Sequence, residues 1–445
     1  MQNYKEQFRG KKITVMGLGI LGRGLGYTKF LAECGADLIV TDLKNKEQLA
    51  TSLKALSKFK NIKFVIGEHR LEDFRNRDMI IKAAGVPLDS IYIAEAKKNN
   101  IPVEMDVSFF AKCAPEVMIV AVTGTRGKSM TTTLIYEILK KNEKFLKHKV
   151  YIGGNIRGVA TLPLLKKVKA GDILVCELDS WQLQGFGEDK MSPNISVFTS
   201  FMPDHMNYYK NSMEDYFSDK ANIFKYQKKD DVLIIRPGMK EFISEKEVKG
   251  KLIIADKKDV QDWDFIIPGE HQRENLSCAA EVAKLFNIPE AKIKKVVKDF
   301  KGLEGRMQLL RGYKGIKIYN DNNATTPEAV IAGIEALKNN NRNIVLICGG
   351  ADKKLDLTNF MKAVNENCKA ISLIPGTGTD ILLKDYKMEI PTEVGKDLKD
   401  VVLKALKFAK KGDIILFSPA FASFGMFNNE YERNDLFVKI IKNLK

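Results

Sequence analysis

The stretch VTGTRGKSMTTTLIYEILKK, Val122 to Lys141, decides how the rest of the chain is read. An apolar run ends in GTRGKS, and hydroxyl residues then lead into leucine and isoleucine at helical spacing. That pattern predicts a strand, a tight glycine turn and a helix. In the turn, Gly124 and Gly127 flank Thr125 and allow the backbone to aim N–H groups at an anion. Lys128 brings a point charge suited to β- and γ-phosphates, and the Ser129 hydroxyl suits Mg²⁺. The helix that follows adds the positive end of its dipole. Arg126, at the tip, is placed either to reach a phosphate or to face water. The loop is two residues shorter than the usual G-x-x-x-x-G-K-[ST].

A phosphate loop needs carboxylates or other ligands to hold metal and to aim the γ-phosphate. DILVCELDS is a strand whose apolar run turns polar at Glu177. The C-terminal edge of a parallel sheet is where ligands gather, although a carboxylate there also serves as a helix cap or a surface charge. ISVFTSF is another buried strand, and it leads directly into a loop with His205, one of four histidines. Taken alone, His205 reads as an ordinary loop residue. Lys220, within a predicted helix, reads as a surface lysine.

Outward from this centre the chain is α/β throughout. Residues 1–112 alternate strand and helix, beginning with the strand KKITVMGLG and the helix GRGLGYTKFLAECG. GLGILG, Gly17 to Gly22, has the spacing G-x-G-x-x-G, and Asp42 ends the next strand about twenty residues on. This fingerprint fits NAD, fits another nucleotide, or serves to pack a helix on a strand. No hydride-transfer constellation accompanies it. A second α/β segment runs over 113–304, and a third, with strands IKIYNDNN, NIVLICGG, AISLIPG and DIILFSP, over 305–445. The first and third segments predict doubly wound sheets.

The bulk composition narrows the function classes. At 445 residues, two or three domains are expected. No apolar run approaches a membrane span, and the polar N-terminal MQNYKEQFRGKK has no h-region of a signal peptide. The six cysteines stand singly, with no metal or redox spacing. The reading is a reduced, cytoplasmic, monomeric enzyme without a membrane partner. The net charge of +16 raises a nucleic-acid-associated ATPase as a further class. The lysines are spread along helices, however, without the arginine–aromatic interleaving of a single-strand groove, so no nucleic-acid partner is expected.

The order of the motifs resembles the Mur ligase superfamily of ATP-dependent amide-bond-forming enzymes. The short GTRGKS is similar to that superfamily's G-T-x-G-K-[ST]. Ten segments occur in order with compatible spacing: GLGILG, GTRGKS, GGNIRG, ELDSWQLQ, DHMNYY with DKANIF, GEHQRENL, FKGLEGR, YNDNNATTPEA, GGADKK and SPAFASFGMFNNEYERNDLF. Within the superfamily they most resemble the branch that adds D-glutamate to UDP-N-acetylmuramoyl-L-alanine in peptidoglycan precursor synthesis.

The resemblance implies three domains: a Rossmann-like nucleotide-sugar domain, a central P-loop ATPase-like domain and a Rossmann-like C-terminal domain. It implies ATP as co-substrate and two Mg²⁺, held by Ser129, Glu177, His205 and a carbamylated Lys220. Asn275, Arg306 and Asp321 would contact ATP. Gly19, Ile20, Leu21, Asp42 and Asn155 would hold the UDP substrate, in place of NAD. Lys353, Ser423 and Phe424 would hold the amino acid. The chain departs from the family pattern at Asp179, where a serine is usual, and at Gly305, where a histidine is usual. It also has Asn322-Asn323 for a Ser-Lys pair, and Glu430, beside Tyr431, for an aromatic residue. Most of these departures lie toward the amino-acid end.

Overall fold

A computed structural model describes residues 4–339 and 341–444; the first three residues of the polar N-terminal stretch and Lys445 lie outside it. Among the described residues, the strands form one five-stranded and two six-stranded sheets. In chain order the first sheet comprises β1 (Lys12–Met16), β2 (Asp37–Asp42), β3 (Ile62–Ile66), β4 (Met79–Lys82) and β5 (Val103–Glu104). All its pairings are parallel, in the order β3-β2-β1-β4-β5. Strand order reverses between β1 and β4, which opens a crevice at their C-terminal ends. The GLGILG loop leaves β1 at that point.

The second sheet comprises β6 (Met118–Thr123), β7 (Val150–Gly154), β8 (Ile173–Glu177), β9 (Ile195–Phe198), β10 (Val232–Ile235) and β11 (Lys251–Ile254). It is again wholly parallel, in the order β11-β10-β9-β6-β8-β7. The strands read as continuous apolar runs because helices cover both faces. β6 lies between β9 and β8, with Val122 in register with Glu177 and Thr123 with Phe198. The phosphate loop, Glu177 and the segment leading to His205 therefore leave neighbouring strands at one edge.

The third sheet comprises β12 (Gln308–Tyr313), β13 (Ile316–Asn320), β14 (Ile344–Gly349), β15 (Cys368–Ile374), β16 (Thr392–Val394) and β17 (Ile414–Phe417). Its order is β12-β13-β17-β14-β15-β16, with only β12 and β13 antiparallel. Alternation along β14 supplies both of its cores. Ile344, Leu346 and Cys348 join Val330, Ile334 and Phe360 on one face, while Val345 and Ile347 join Ile318, Ile415 and Phe437 on the other.

The chain divides into two compact units, residues 1–261 with 274–296, and residues 262–273 with 297–445. Within the first, one buried cluster runs without a break from Phe8 and Val15 through Phe109 and Phe110 to Leu183, Leu233 and Ile243. The helix Asp106–Cys113 carries the middle of that cluster. Asp106 secures it by accepting the backbone N–H groups of Thr161 and Leu162, both at 2.8 Å.

The run KEQLATSLKALSKF, Lys46 to Phe59, has helical spacing, but the helix it forms is shorter, Ala50–Leu56. Asn45 and Gln48 exchange side-chain to backbone hydrogen bonds of 2.9 and 3.1 Å, which hold a turn ahead of it.

Candidate active site

The glycines of GTRGKS sit where a side chain cannot. Gly124 has φ 137°, and a Cβ there would lie 2.2 Å from Thr199 Oγ1 and 2.8 Å from the Ser200 nitrogen. Gly127 has φ 88°, and its Cβ would lie 2.4 Å from Asn275 Oδ1. The segment after β9 braces the tip. Arg126 N donates to Ser200 Oγ at 2.8 Å, Thr199 Oγ1 donates to the Arg126 carbonyl at 2.5 Å, and Thr125 N donates to the Ser200 carbonyl at 2.7 Å. Arg126 is exposed at this tip. The helix Lys128–Lys141 then begins, with Ser129 half-buried in its first turn.

Two lysines meet on one carbonyl of this loop. Lys128 Nζ donates to the carbonyls of Gly124 and Thr125, at 2.9 and 3.0 Å. Lys220 Nζ, from the helix Met213–Ala221, donates to the same Gly124 carbonyl at 3.0 Å. Lys220 is 1% exposed, with its ammonium 4.8 Å from the centre of the Tyr216 ring. Burial, reinforced by the Lys128 charge, pushes the Lys220 amine down to about 7. Tyr216 is itself buried, its hydroxyl 3.3 Å from Thr125 Oγ1. Burial holds that phenol neutral, pushed up to about 12.

His205 occupies the loop after β9 with φ 55°. Its ring lies 4.7 Å from the Trp181 ring and 6.3 Å from Tyr216. Desolvation, together with the Lys128 and Lys220 charges and against the attraction of Asp204, lowers its pKa and keeps the imidazole neutral. A neutral ring nitrogen is the form that can take a metal.

Glu177 is 6% exposed at the end of β8. Its carbonyl accepts the Asn155 N–H at 2.7 Å, so the GGNIRG segment lies against it. Asp179, two residues on, caps the helix Ser180–Glu188 in a reciprocal box with Gln182.

Asn275 is drawn to the phosphate loop from the far end of the segment. Its Oδ1 accepts Thr131 Oγ1 at 3.0 Å and the guanidinium of Arg236. Arg236 also pairs with Glu274 at 3.0 Å.

At the first sheet, Asp42 is buried and both of its oxygens are engaged. Oδ2 accepts the Gly19 N–H at 2.8 Å and Oδ1 the Lys44 N–H at 2.9 Å. Its carboxylate organises the loop, while Ile20 is 53% exposed beside it and Leu21 is half-buried. Arg23 Nη1 donates to Asn155 Oδ1 at 2.6 Å, and Gly158 N donates to the Leu21 carbonyl at 2.9 Å. Asn155 thus bridges the edge of the second sheet and the crevice of the first.

The remaining expected residues lie in the second unit. Asp321 follows β13, buried, and accepts Met307 N at 3.1 Å and Ser418 Oγ at 3.0 Å. Burial pushes its carboxyl up to about 7. Arg306 is half-buried near it and its charge opposes that rise. Lys353 Nζ donates to the Thr325 carbonyl at 3.1 Å. Ser423 is 6% exposed and Phe424 65%. All follow the C-terminal ends of third-sheet strands, apart from Arg306, which precedes β12.

Three family models match the chain. Residues 11–104 match the Mur ligase MurD-like N-terminal domain, 122–289 the Mur ligase middle domain, and 305–421 the Mur ligase glutamate ligase domain. The chain belongs to the Mur ligase family.

Relatives named UDP-N-acetylmuramoylalanine–D-glutamate ligase match it end to end. The one from Borreliella burgdorferi is 33% identical over 461 residues, covering 99% of each chain. That from Roseiflexus sp. is 34% identical over 478 residues, covering 98% of this chain and 99% of its own. The structure of Thermotoga maritima MurC, a UDP-N-acetylmuramate–alanine ligase, superposes with a TM-score of 0.62 at 18% identity, over 98% of this chain and all of that one. Thermotoga maritima MurF, solved with ADP, gives 0.60 at 16% identity over 99% and 97%. These last two show the shared three-domain Mur ligase fold. As a family member the chain is an ATP-dependent ligase that forms an amide bond, with ADP and phosphate as products.

Several residues of this Mur ligase site escaped the sequence reading: Arg236, Thr199, Ser200, Arg23, Trp181 and Tyr216. Arg236 had a usable signal, since it ends an apolar strand at the same sheet edge as Glu177. The others carry no local signal, because their role arises from what the fold brings against them.

Proposed function

We propose that this Mur ligase adds D-glutamate to UDP-N-acetylmuramoyl-L-alanine in the cytoplasm, as a monomer built of domains 1–112, 113–304 and 305–445. The observation that carries the reading is the end-to-end likeness to relatives of that name, together with Lys128 and the buried Lys220 on the Gly124 carbonyl.

The reaction begins when the substrate carboxylate attacks the γ-phosphate of ATP, giving an acyl phosphate and ADP. Both reactants are anions, so cations must screen their approach. Lys128 leaves its loop carbonyls to meet the β- and γ-phosphates, and the loop N–H groups hold the rest. The amine of D-glutamate then attacks the acyl carbon, and phosphate leaves. Arg306, Asp321 and Asn275 contact ATP in this reading, while Lys353, Ser423 and Phe424 receive the amino acid. Gly19, Ile20, Leu21, Asp42 and Asn155 hold the UDP moiety. Trp181 and Tyr216 lie against the His205 ring, and Tyr208 packs on Trp181.

Among the described residues no three His, Cys, Asp or Glu side chains cluster as a metal site. The residues present fit magnesium on one condition. Ser129 and Glu177 offer oxygen, His205 a neutral nitrogen, and Lys220 joins them only as a carbamate. Burial beside Lys128 disfavours the Lys220 ammonium, and addition of CO₂ replaces that cation with an anionic oxygen donor. Two Mg²⁺ held by these residues would neutralise charge on the transferring phosphoryl group.

The test is ADP release with UDP-N-acetylmuramoyl-L-alanine and a panel of amino acids. D-glutamate should exceed L-glutamate and L-lysine by orders of magnitude; equal turnover would refute the assignment.

A further inference from the structure

Among the described residues, Arg433 is the largest fully buried side chain, at 1% exposure. It projects from the helix Glu430–Lys442 into the polar layer behind the C-terminal edge of the third sheet. Nε donates to Asn322 Oδ1 at 2.9 Å, Nη2 to the Asn322 carbonyl at 3.0 Å, and Nη1 to the Phe421 carbonyl at 3.3 Å. Every one of these acceptors is neutral. Among the described residues, no carboxylate pairs with the guanidinium, and Glu430 is the one acid whose field opposes its desolvation. Burial lowers its pKa to about 10, which still leaves it charged at neutral pH.

The groups it joins are those on which the amino-acid end of the site is built. Asn322 lies in the loop after β13, and Phe421 lies two residues before Ser423 in the loop after β17. That second loop is held flat across the sheet edge. Ala420 N donates to the Ala324 carbonyl at 2.9 Å, while Ala422 and Ala351 exchange backbone hydrogen bonds of 3.0 and 3.1 Å. Ala420 takes φ 65°, a left-handed conformation that a non-glycine residue adopts only under constraint. Asn322 completes the clamp by donating Nδ2 to the Glu430 carbonyl at 3.0 Å. Asn322 is one of this chain's departures from the family pattern, and here it is the residue that reaches the guanidinium.

A buried cation surrounded only by carbonyl dipoles is hydrogen-bonded but not neutralised, and its field in a low-dielectric interior extends to the adjacent loop surface. A clamp alone would not require charge. We propose that Arg433 is a positioning and specificity-determining residue: it ties the Asn322 loop to the loop bearing Ser423 and Phe424, and its charge, hydrogen-bonded to no carboxylate, favours an amino acid with a side-chain carboxylate. The inference rests on the reading that Ser423 and Phe424 receive the incoming amino acid.

The experiment compares kcat/KM for D-glutamate and for D-glutamine, its neutral isostere, in the wild type, Arg433→Lys and Arg433→Gln. ATP and the UDP substrate are saturating, and Tm is recorded for each protein. Arg433→Gln should lose at least tenfold of the preference for D-glutamate, through KM, and Arg433→Lys should keep most of it. Equal losses toward both amino acids, or an unchanged preference in Arg433→Gln, would overturn the proposal. If Arg433→Gln does not fold, Asn322→Asp places a carboxylate against the guanidinium and cancels its charge. The same loss of preference is then expected, and an unchanged preference overturns the proposal. A wild type that turns over neither amino acid overturns the D-glutamate assignment, and the Arg433 inference falls with it.

Discussion

Two ammonium groups donating to one buried carbonyl oxygen repel each other unless an anion joins them. Lys128 and Lys220 stand in that relation at Gly124, and the anion each requires differs: polyphosphate for Lys128, a carboxylate-like modification for Lys220. Lys128→Ala should lower ADP release by about a hundred- to a thousandfold while leaving Tm unchanged, the size typical of losing one electrostatic stabiliser. Near-normal turnover would remove the phosphate-loop assignment. Lys220→Ala should be similarly inactive, yet partly restored by short-chain carboxylic acids that fit the vacated space. Absence of rescue, with an intact mass showing unmodified lysine in the wild type, would exclude the carbamate. At this scale GTRGKS was legible because its backbone turn and its charge are local. His205 and Lys220 were not legible from their own surroundings, which read as loop and surface helix. Only the resemblance raised them, and burial of Lys220 to 1% exposure is a tertiary fact.

Among the elements, the apolar strands β1, β6, β8, β9, β14, β15 and β17 were visible as continuous runs, since both faces of a parallel sheet are covered, and β13 by its alternation of Ile316, Lys317 and Ile318. Two of the strands that escaped lack that signature. β12 alternates half-buried and exposed positions and includes Arg311 and Gly312, and β7 ends in two glycines. Turn chemistry shortened the helix at Ala50 for a reason that propensity alone does not register.

The helix Arg23–Glu33 carries a sharper constraint. A Cβ on Gly24 would lie 1.9 Å from the Leu18 carbonyl, so the helix and the GLGILG loop touch through backbone. Gly24→Ala should destabilise the first unit by about 1–3 kcal/mol. It should also raise KM for the UDP substrate with little change in KM for ATP. Denaturant titration and initial rates would measure both, and an unaffected KM would mean that the GLGILG loop does not hold that substrate.

For the whole molecule, a buried ionisable group makes stability depend on pH. Asp321 is ordinarily ionised above pH 4, but burial lifts its carboxyl to about 7 in the folded protein. A raised acid is neutral in both states below the unfolded pKa, so no penalty applies there. Between about pH 4 and 7 the unfolded chain ionises first, and folding loses stability as pH rises. Above about 7 the full cost, at most about 4 kcal/mol at 1.36 kcal/mol per pKa unit, is present. Asp321→Asn should therefore raise the denaturation midpoint of the second unit more at pH 8 than at pH 5. An equal effect at both pH values would mean that the carboxyl titrates normally.

In the first unit, the buried cluster from Phe8 to Ile243 runs through two sheets whose strands come one set after the other in sequence. Apolar patterning shows which residues are buried, but not which other buried residues they meet.

The sequence by itself determined the α/β class, the phosphate-gripping turn and, through ten ordered motifs, the family. Each of these depends on residues close together in the chain, or on their order. Only the tertiary structure decided that Lys220, 96 residues from Gly124, ends on its carbonyl, and that Asn275 lies against Gly127. It also decided that Asp42 organises its own loop and that Arg433 lies buried with only neutral hydrogen-bond acceptors. Those outcomes follow from the β9-β6-β8 neighbourhood and from the β13-β17-β14 edge, where strands distant in sequence become adjacent and their loops must share one boundary.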